Sequence, residues 1–216
     1  MLISSRFAGV CVVVFGILLI SSLAFDSAYG EHTKVTKKTT TAKKDLVKKP
    51  TTTKSKGNTA KISTAMGDIE IKLKPDVAPK TVENFKKLAK SKFYDGTLFH
   101  RIIPNFMIQG GDPNTKTSDA STWGYGGPDY TINAEISDLK HTKYMVSMAR
   151  GQDINSAGSQ FFIMVGDAPW LDGQYAIFGE VTKGQGVIDK ISLLQTNEFD
   201  QPVDIASARI KSIRIK

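Results

Sequence analysis

Arg101 and Gln109 stand in the segment FHRIIPNFMIQGGD, residues 99–112, among mostly large apolar neighbours. Arginine brings a permanently charged plane of N–H donors, and glutamine an amide that both donates and accepts. Neither is a nucleophile, so the chemistry open to such a pair is hydrogen bonding and charge. Signals for other chemistry are missing or scattered. The single cysteine, Cys11, lies in an apolar N-terminal run, so the rest of the chain can form no internal disulfide, and cysteine usage does not report the compartment. His32, His100 and His141 are far apart, no Cys/His spacing suggests a metal site, and there is no Walker loop, GxGxxG or N-glycosylation sequon. No cofactor is expected.

Pro104, Asn105 and Phe106 predict a turn between LFHRII and MIQGG, with proline fixing φ and asparagine tolerating unusual backbone angles. If those three residues form the loop, Ile103 pairs with Met107 and Arg101 with Gln109. Directly opposed residues share a face of the sheet with Cβ atoms about 5 Å apart. The two polar groups then lie side by side, and spacing alone leaves open whether that face meets solvent or a pocket.

Other segments must frame this hairpin. KISTAMGDIEIKL reads as two alternating strands around a Gly67-Asp68 turn. APKTVENFKKLAKSKF shifts to helical period, with Val82, Phe85, Leu88 and Ala89 on one face and Lys86, Lys87 and Lys90 elsewhere. Short apolar runs broken by Gly, Pro, Asn and Asp fill the stretch from Tyr94 to Phe178, and GQGVIDKISLL predicts a second helix with Val187, Ile188 and Ile191 inward. In SARIKSIRIK the phase of Ala208 and Ile210 differs from that of Ile213 and Ile215, which predicts a bulge near Lys211 and Ser212. Many strands with two separated helices predict a mainly β fold, a closed antiparallel barrel with helices over its open ends.

The net charge of +8 is uneven. Residues 31–58 hold nine lysines against Glu31 and Asp45, whereas residues 59–216 hold nineteen basic and eighteen acidic residues. The basic balance thus belongs to a tail, and no specific nucleic-acid partner is expected of the domain. That Lys/Thr tail is too poor in large apolar residues to offset its ordering entropy, so it predicts a disordered linker. It reads either as a passive spacer or as an electrostatic contact to an anionic membrane, wall polymer or nucleic acid. Residues 7–24, uncharged and about 27 Å long as a helix, predict a signal peptide with a small-residue cleavage site after Gly30, or a membrane anchor. Lysines after the run oppose export by the positive-inside rule, while the signal-like pattern favours an extracytoplasmic domain. Three segments result: 1–30, 31–58 and 59–216.

FHRIIPNFMIQGGDP, WGYGGPDYTINAEI, SMARGQDINSAGSQFFI and PWLDGQYAIFGEV, in that order, resemble the signature blocks of the cyclophilins, the peptidyl-prolyl cis-trans isomerases. The resemblance runs over roughly residues 60–216, and the short connection between Phe93 and Thr97 resembles the compact prokaryotic branch. It implies an eight-stranded antiparallel barrel capped by two helices, acting as a monomer. The implied activity is rotation about X-Pro bonds in unfolded or partly folded polypeptides, assisting folding without cofactor or metal.

By that resemblance Arg101 is the donor to the prolyl nitrogen, and Gln109 holds the substrate backbone or orients Arg101. Phe106, Met107, Phe162 and Leu171 surround the proline ring. Ala149 and the backbone of Arg150 match the edge that pairs with the extended substrate, with Gln160 and Gly124 lining the adjoining groove. Trp170 matches a position linked in the family to cyclosporin binding, which implies inhibitor sensitivity. The plainer readings are barrel core for the four apolar residues, a cross-strand hydrogen bond for Gln109 and loop packing for Trp170. His100 is expected on the opposite strand face in a structural role. Three residues depart from the family pattern: Tyr175 where many members carry histidine, Arg150 for asparagine, and Asn105 for glycine at the turn. Substrate preference and turn geometry are the properties these put in question. A binding module that holds proline peptides without turnover is the alternative from another class.

Overall fold

The computed structural model describes residues 57–216. The N-terminal apolar run and nearly all of the Lys/Thr tail lie outside the described residues, and with them the expectations of signal, anchor and linker. Among the described residues no helix is long and apolar enough to cross a membrane.

Eight antiparallel strands form one curled sheet in the order β3-β4-β6-β5-β7-β2-β1-β8. They are β1 (Thr59–Thr64), β2 (Asp68–Leu73), β3 (Phe99–Ile103), β4 (Met107–Gly110), β5 (Met145–Met148), β6 (Phe161–Met164), β7 (Ile177–Lys183) and β8 (Ile210–Ile215). The helices are α1 (Pro79–Lys90) and α2 (Gln185–Ser192). Helix α1 buries Val82, Phe85, Leu88 and Ala89 as its period predicts, and also Thr81 and Asn84. Helix α2 buries Ile188 and Ile191, with Val187 packed partly against the same core. Proline at the first position of α1 fits there because that N–H has no intrahelical partner.

The core gathers aromatic rings. Phe85 meets Tyr94 at 5.2 Å between centroids, Phe178 at 5.2 Å and Phe161 edge-on at 5.6 Å. Phe99 meets Phe161 at 6.3 Å from the far side. These tilted and edge-on pairs add to simple area burial. A second apolar cluster, Met107, Phe162, Met164, Ala168 and Leu171, lies apart from this core. The alternation of β6 explains both: Phe161 and Ile163 enter the aromatic core, while Phe162 and Met164 enter the second cluster. Both faces of the strand are buried, which is why it reads as a continuous apolar run.

Closure of the sheet is partial, which corrects the expectation of a closed barrel. The edge strands β3 and β8 form no ladder. A single bridge joins Leu98 to Arg209, flanked by hydrogen bonds from Phe99 N to Ala208 O (2.9 Å) and from Ile210 N to Thr97 O (2.8 Å). Further along β3 a loop intervenes: the Ile102 N–H donates to the carbonyl of Asp200 at 2.8 Å instead of to β8. The predicted bulge is present, since Ser63 pairs with Ser212 and Thr64 with Ile210, leaving Lys211 as the extra residue. It turns Ile210 and Ile213 both inward, three residues apart.

Candidate active site

The hairpin of β3 and β4 has the predicted register, Arg101 opposite Gln109 and Ile103 opposite Met107. Its turn closes with Phe106 N donating to Ile103 O at 3.1 Å, and Asn105 sits at φ 61°. Proline at the second position and a positive φ at the third define a type II turn, where asparagine is the usual substitute for glycine. The departure at Asn105 therefore preserves the turn.

A second irregularity aims the arginine. Phe99 pairs with Gly110 and Arg101 with Gln109, so His100 is an extra, bulged residue. Without the bulge Phe99 and Arg101 would share a face. With it Phe99 enters the aromatic core while Arg101 stays half-buried on the other side. His100 is accordingly not simply on the face opposite Arg101. It is buried, and among the described residues neither ring nitrogen has a hydrogen-bond partner of good geometry, although the Leu98 backbone and the Gln160 side chain lie near enough to favour its protonated form. Burial lowers its pKa to about 4, against the opposing pull of the Asp112 charge.

Across the sheet the row continues. Gln109 pairs with Phe162 on β6, and Phe162 with Ser147 on β5. Arg101 and Phe162 thus flank Gln109 in one line, two strand spacings or about 10 Å apart. The next row sets Met107 opposite Met164. Phe162 and Met107 are buried in the second cluster with Leu171, and Phe106 and Tyr175 pack partly against it. Tyr175 meets Phe162 edge-on at 5.8 Å, and Trp170, 53% exposed, tilts over Phe106 at 5.9 Å. The result is an apolar wall with a polar row on one side.

Among the described residues Gln109 makes no hydrogen bond to Arg101. Its Nε2 donates to Gln160 Oε1 at 2.9 Å, and Gln160 Nε2 donates in turn to the carbonyls of Gly124 (2.9 Å) and Gly126 (2.8 Å). Gly124 N–H donates to the buried carboxylate of Asp112. Ala149 N–H is taken by Gln160 O at 3.0 Å, whereas the N–H and C=O of Arg150 make no hydrogen bond among the described residues. The Arg150 side chain folds back: its Nε and Nη2 donate to Gln174 O, and its guanidinium lies 4.7 Å over the Tyr175 ring.

A model of the family described as cyclophilin type peptidyl-prolyl cis-trans isomerase/CLD matches residues 59–214. The chain belongs to the cyclophilin family. Its similarity to peptidyl-prolyl cis-trans isomerase cypE of Dictyostelium discoideum is 43% identity over 148 residues, covering 68% of this chain and 91% of that one. Against peptidyl-prolyl cis-trans isomerase 9 of Schizosaccharomyces pombe identity is 46% over 151 residues, 68% of this chain but only 24% of that relative. A crystal structure of a Cryptosporidium parvum cyclophilin type peptidyl-prolyl cis-trans isomerase, in the presence of the dipeptide Ala-Pro, is similar with a TM-score of 0.66 and 33% identity. That likeness covers 73% of this chain and 98% of the other.

Two further residues adjoin this arrangement in the cyclophilin fold. The first is His141. Its ring stacks beside Phe162 at 6.1 Å, with Nδ1 3.2 Å from Asp172 Oδ1 and Nε2 3.3 Å from Ser147 Oγ. A carboxylate only accepts, so Nδ1–H donates to Asp172 and Nε2 accepts from the Ser147 hydroxyl. The His141 backbone N–H and side chain hold the Asp172 carboxyl below its usual range, while burial lowers the His141 pKa. Serine, histidine and aspartate in a chain suggest hydrolysis, yet Ser147 is fully buried, which closes its hydroxyl to solvent. The trio instead lies against Phe162, through the His141 ring and the cross-strand pairing of Ser147. The second is Asp200, whose Oδ2 lies 3.4 Å from Arg101 Nε. Neither residue carries a sequence signal, because each meets the site only through the fold.

Proposed function

We infer that this cyclophilin catalyses X-Pro isomerisation in unfolded or partly folded polypeptides, assisting their folding, with the ring of the proline seated on Phe106, Met107, Phe162 and Leu171. The observation that carries this is the single row Arg101–Gln109–Phe162, which sets a guanidinium beside an apolar wall. The relative crystallised in the presence of Ala-Pro supports a proline dipeptide as the minimal occupant.

Rotation about the bond faces a barrier of ~18–20 kcal/mol and takes on the order of 10–100 s uncatalysed. Twisting the amide breaks its resonance and localises a lone pair on the prolyl nitrogen. A donor aimed there binds the twisted state better than either planar one. Arg101 is that donor, because its Nη groups are free of hydrogen bonds to described residues. One charged hydrogen bond supplies about 1.5–3 kcal/mol, whereas reaching ~10³ s⁻¹ needs about 7 kcal/mol. The partly dry, preorganised wall supplies the rest. Arg150 pairs with the extended substrate through its unpaired N–H and C=O, and Trp170 at the rim is the contact for a cyclosporin-type inhibitor.

Residues 7–24 favour export or anchoring, with the Lys/Thr tail as spacer or anionic contact. Intact-mass measurement on the native protein tests the first, and deletion of residues 31–58 the second. The activity itself is tested with the full chain in a protease-coupled proline-peptide assay. Acceleration that drops about tenfold or more in Arg101→Ala is expected. No acceleration, or full activity in that variant, rejects the reading. Tight proline-peptide binding with negligible exchange by NMR would favour the binding module.

A further inference from the structure

We propose that Asp200 is a positioning residue for Arg101, fixing the guanidinium through Nε so that both Nη groups face the proline site. This rests on the isomerase reading above. Among the described residues Asp200 is the only group that hydrogen-bonds the Arg101 side chain, while Gln109, its cross-strand neighbour, turns its amide N–H to Gln160.

The carboxylate arrives on a loop that is itself tied down. Asp200 O accepts from Ile102 N at 2.8 Å, one residue along from the arginine, so the carboxylate is registered to β3 at the point where it acts. Asp200 N donates to Asn197 O at 3.1 Å, and Asn197 Oδ1 accepts from Phe199 N (2.9 Å) and Gln201 N (3.0 Å). Gln201 Nε2 reaches across to Ala120 O at 3.0 Å. Asp200 has φ 61°, a conformation that aspartate and asparagine adopt more readily than other side chains. Each of these bonds serves one outcome: a negative group held beside the stem of the guanidinium.

Geometry also assigns which nitrogen it takes. A carboxylate that engaged the Nη pair in a bidentate fork would compete with the substrate for the donors the reaction needs. Contact at Nε alone leaves that fork open. The pair is exposed enough (28% and 42%) to contribute little to folding, so its worth lies in orientation.

Two substitutions suit the left-handed backbone. Asp200→Gly removes the side chain without strain, and Asp200→Asn keeps an acceptor without the charge. With the full chain, kcat for a proline peptide should fall about fivefold in Asp200→Gly and less in Asp200→Asn, with KM changed less than about twofold. In an Arg101→Ala background Asp200→Gly should change nothing further. Equal losses in both backgrounds, or wild-type kcat in Asp200→Gly, would overturn the proposal. A second measurement stands apart from activity. The Arg101 Nε–H NMR resonance should exchange faster with solvent in Asp200→Gly while the urea midpoint is unchanged. Unchanged exchange overturns the positioning role even if wild-type activity and its loss in Arg101→Ala uphold the isomerase.

Discussion

Gln109 Nε2 lies 2.9 Å from Gln160 Oε1, and this one bond fixes both amides. Gln160 must present its NH₂ to the two glycine carbonyls, so its oxygen faces Gln109 and Gln109 must donate. The Gln109 amide oxygen is left unpaired among the described residues, available to a substrate N–H. Gln160→Ala would strand that donor and both carbonyls, at a cost of about 1–3 kcal/mol. A fall of roughly tenfold in kcat/KM is expected, with Arg101 still in place. Unchanged kcat/KM would show that Gln109 needs no support.

The turn that carries Phe106 rests against Gly166. A Cβ there would stand 2.1 Å from the Asn105 carbonyl oxygen, a backbone atom that cannot yield without moving the turn. Gly166→Ala should therefore displace Phe106, lower kcat/KM, and shift the fluorescence of Trp170, which lies over the Phe106 ring. Asn105→Gly keeps the required φ and should leave stability within about 0.5 kcal/mol of the parent. Urea unfolding of both variants measures the difference.

His100 gives the fold an acid sensitivity. Its folded-state pKa, about 4, lies below the ordinary 6.5, so the unfolded chain binds the proton first as pH falls. The stabilisation is complete above about pH 6.5 and is lost between there and pH 4, on the order of 3 kcal/mol. His141, also lowered by burial, acts in the same direction. His100→Leu removes one of the two groups and leaves an apolar side chain at a buried position. Its melting temperature should fall less than the parent's between pH 7 and about 4.5. Parallel pH curves would exclude His100 as the source.

Much of this was legible in local pattern. Register around Pro104–Phe106, the stripe of α1 and the Lys211 bulge follow from spacing a few residues long, and spacing survives folding. The bulge at His100 left no such trace, because HRII is equally apolar in either phase. Partial closure was hidden for a related reason: Asp200 takes the Ile102 N–H from a position 98 residues away, and Arg101 meets its carboxylate at a separation of 99. Pattern placed Phe162 on a strand but could not tell its face from that of Phe161, since both faces are buried.

Arg150 and Tyr175, the two departures at the rim, act on each other. The guanidinium covers one face of the Tyr175 ring, and the ring edge meets Phe162 in the wall. The Tyr175 hydroxyl has no hydrogen-bond partner among the described residues, so the aromatic body is what matters. Tyr175→Phe should retain activity. Tyr175→Ala opens the wall beside Phe162 and should raise KM for proline peptides several-fold. Arg150→Ala forfeits the ring contact, about 0.5–1 kcal/mol, together with the bonds to Gln174, yet keeps the backbone that would pair with substrate. Its kcat should match the parent's, with a small drop in melting temperature. A lost kcat would assign catalysis to the guanidinium of Arg150 and reject its backbone role.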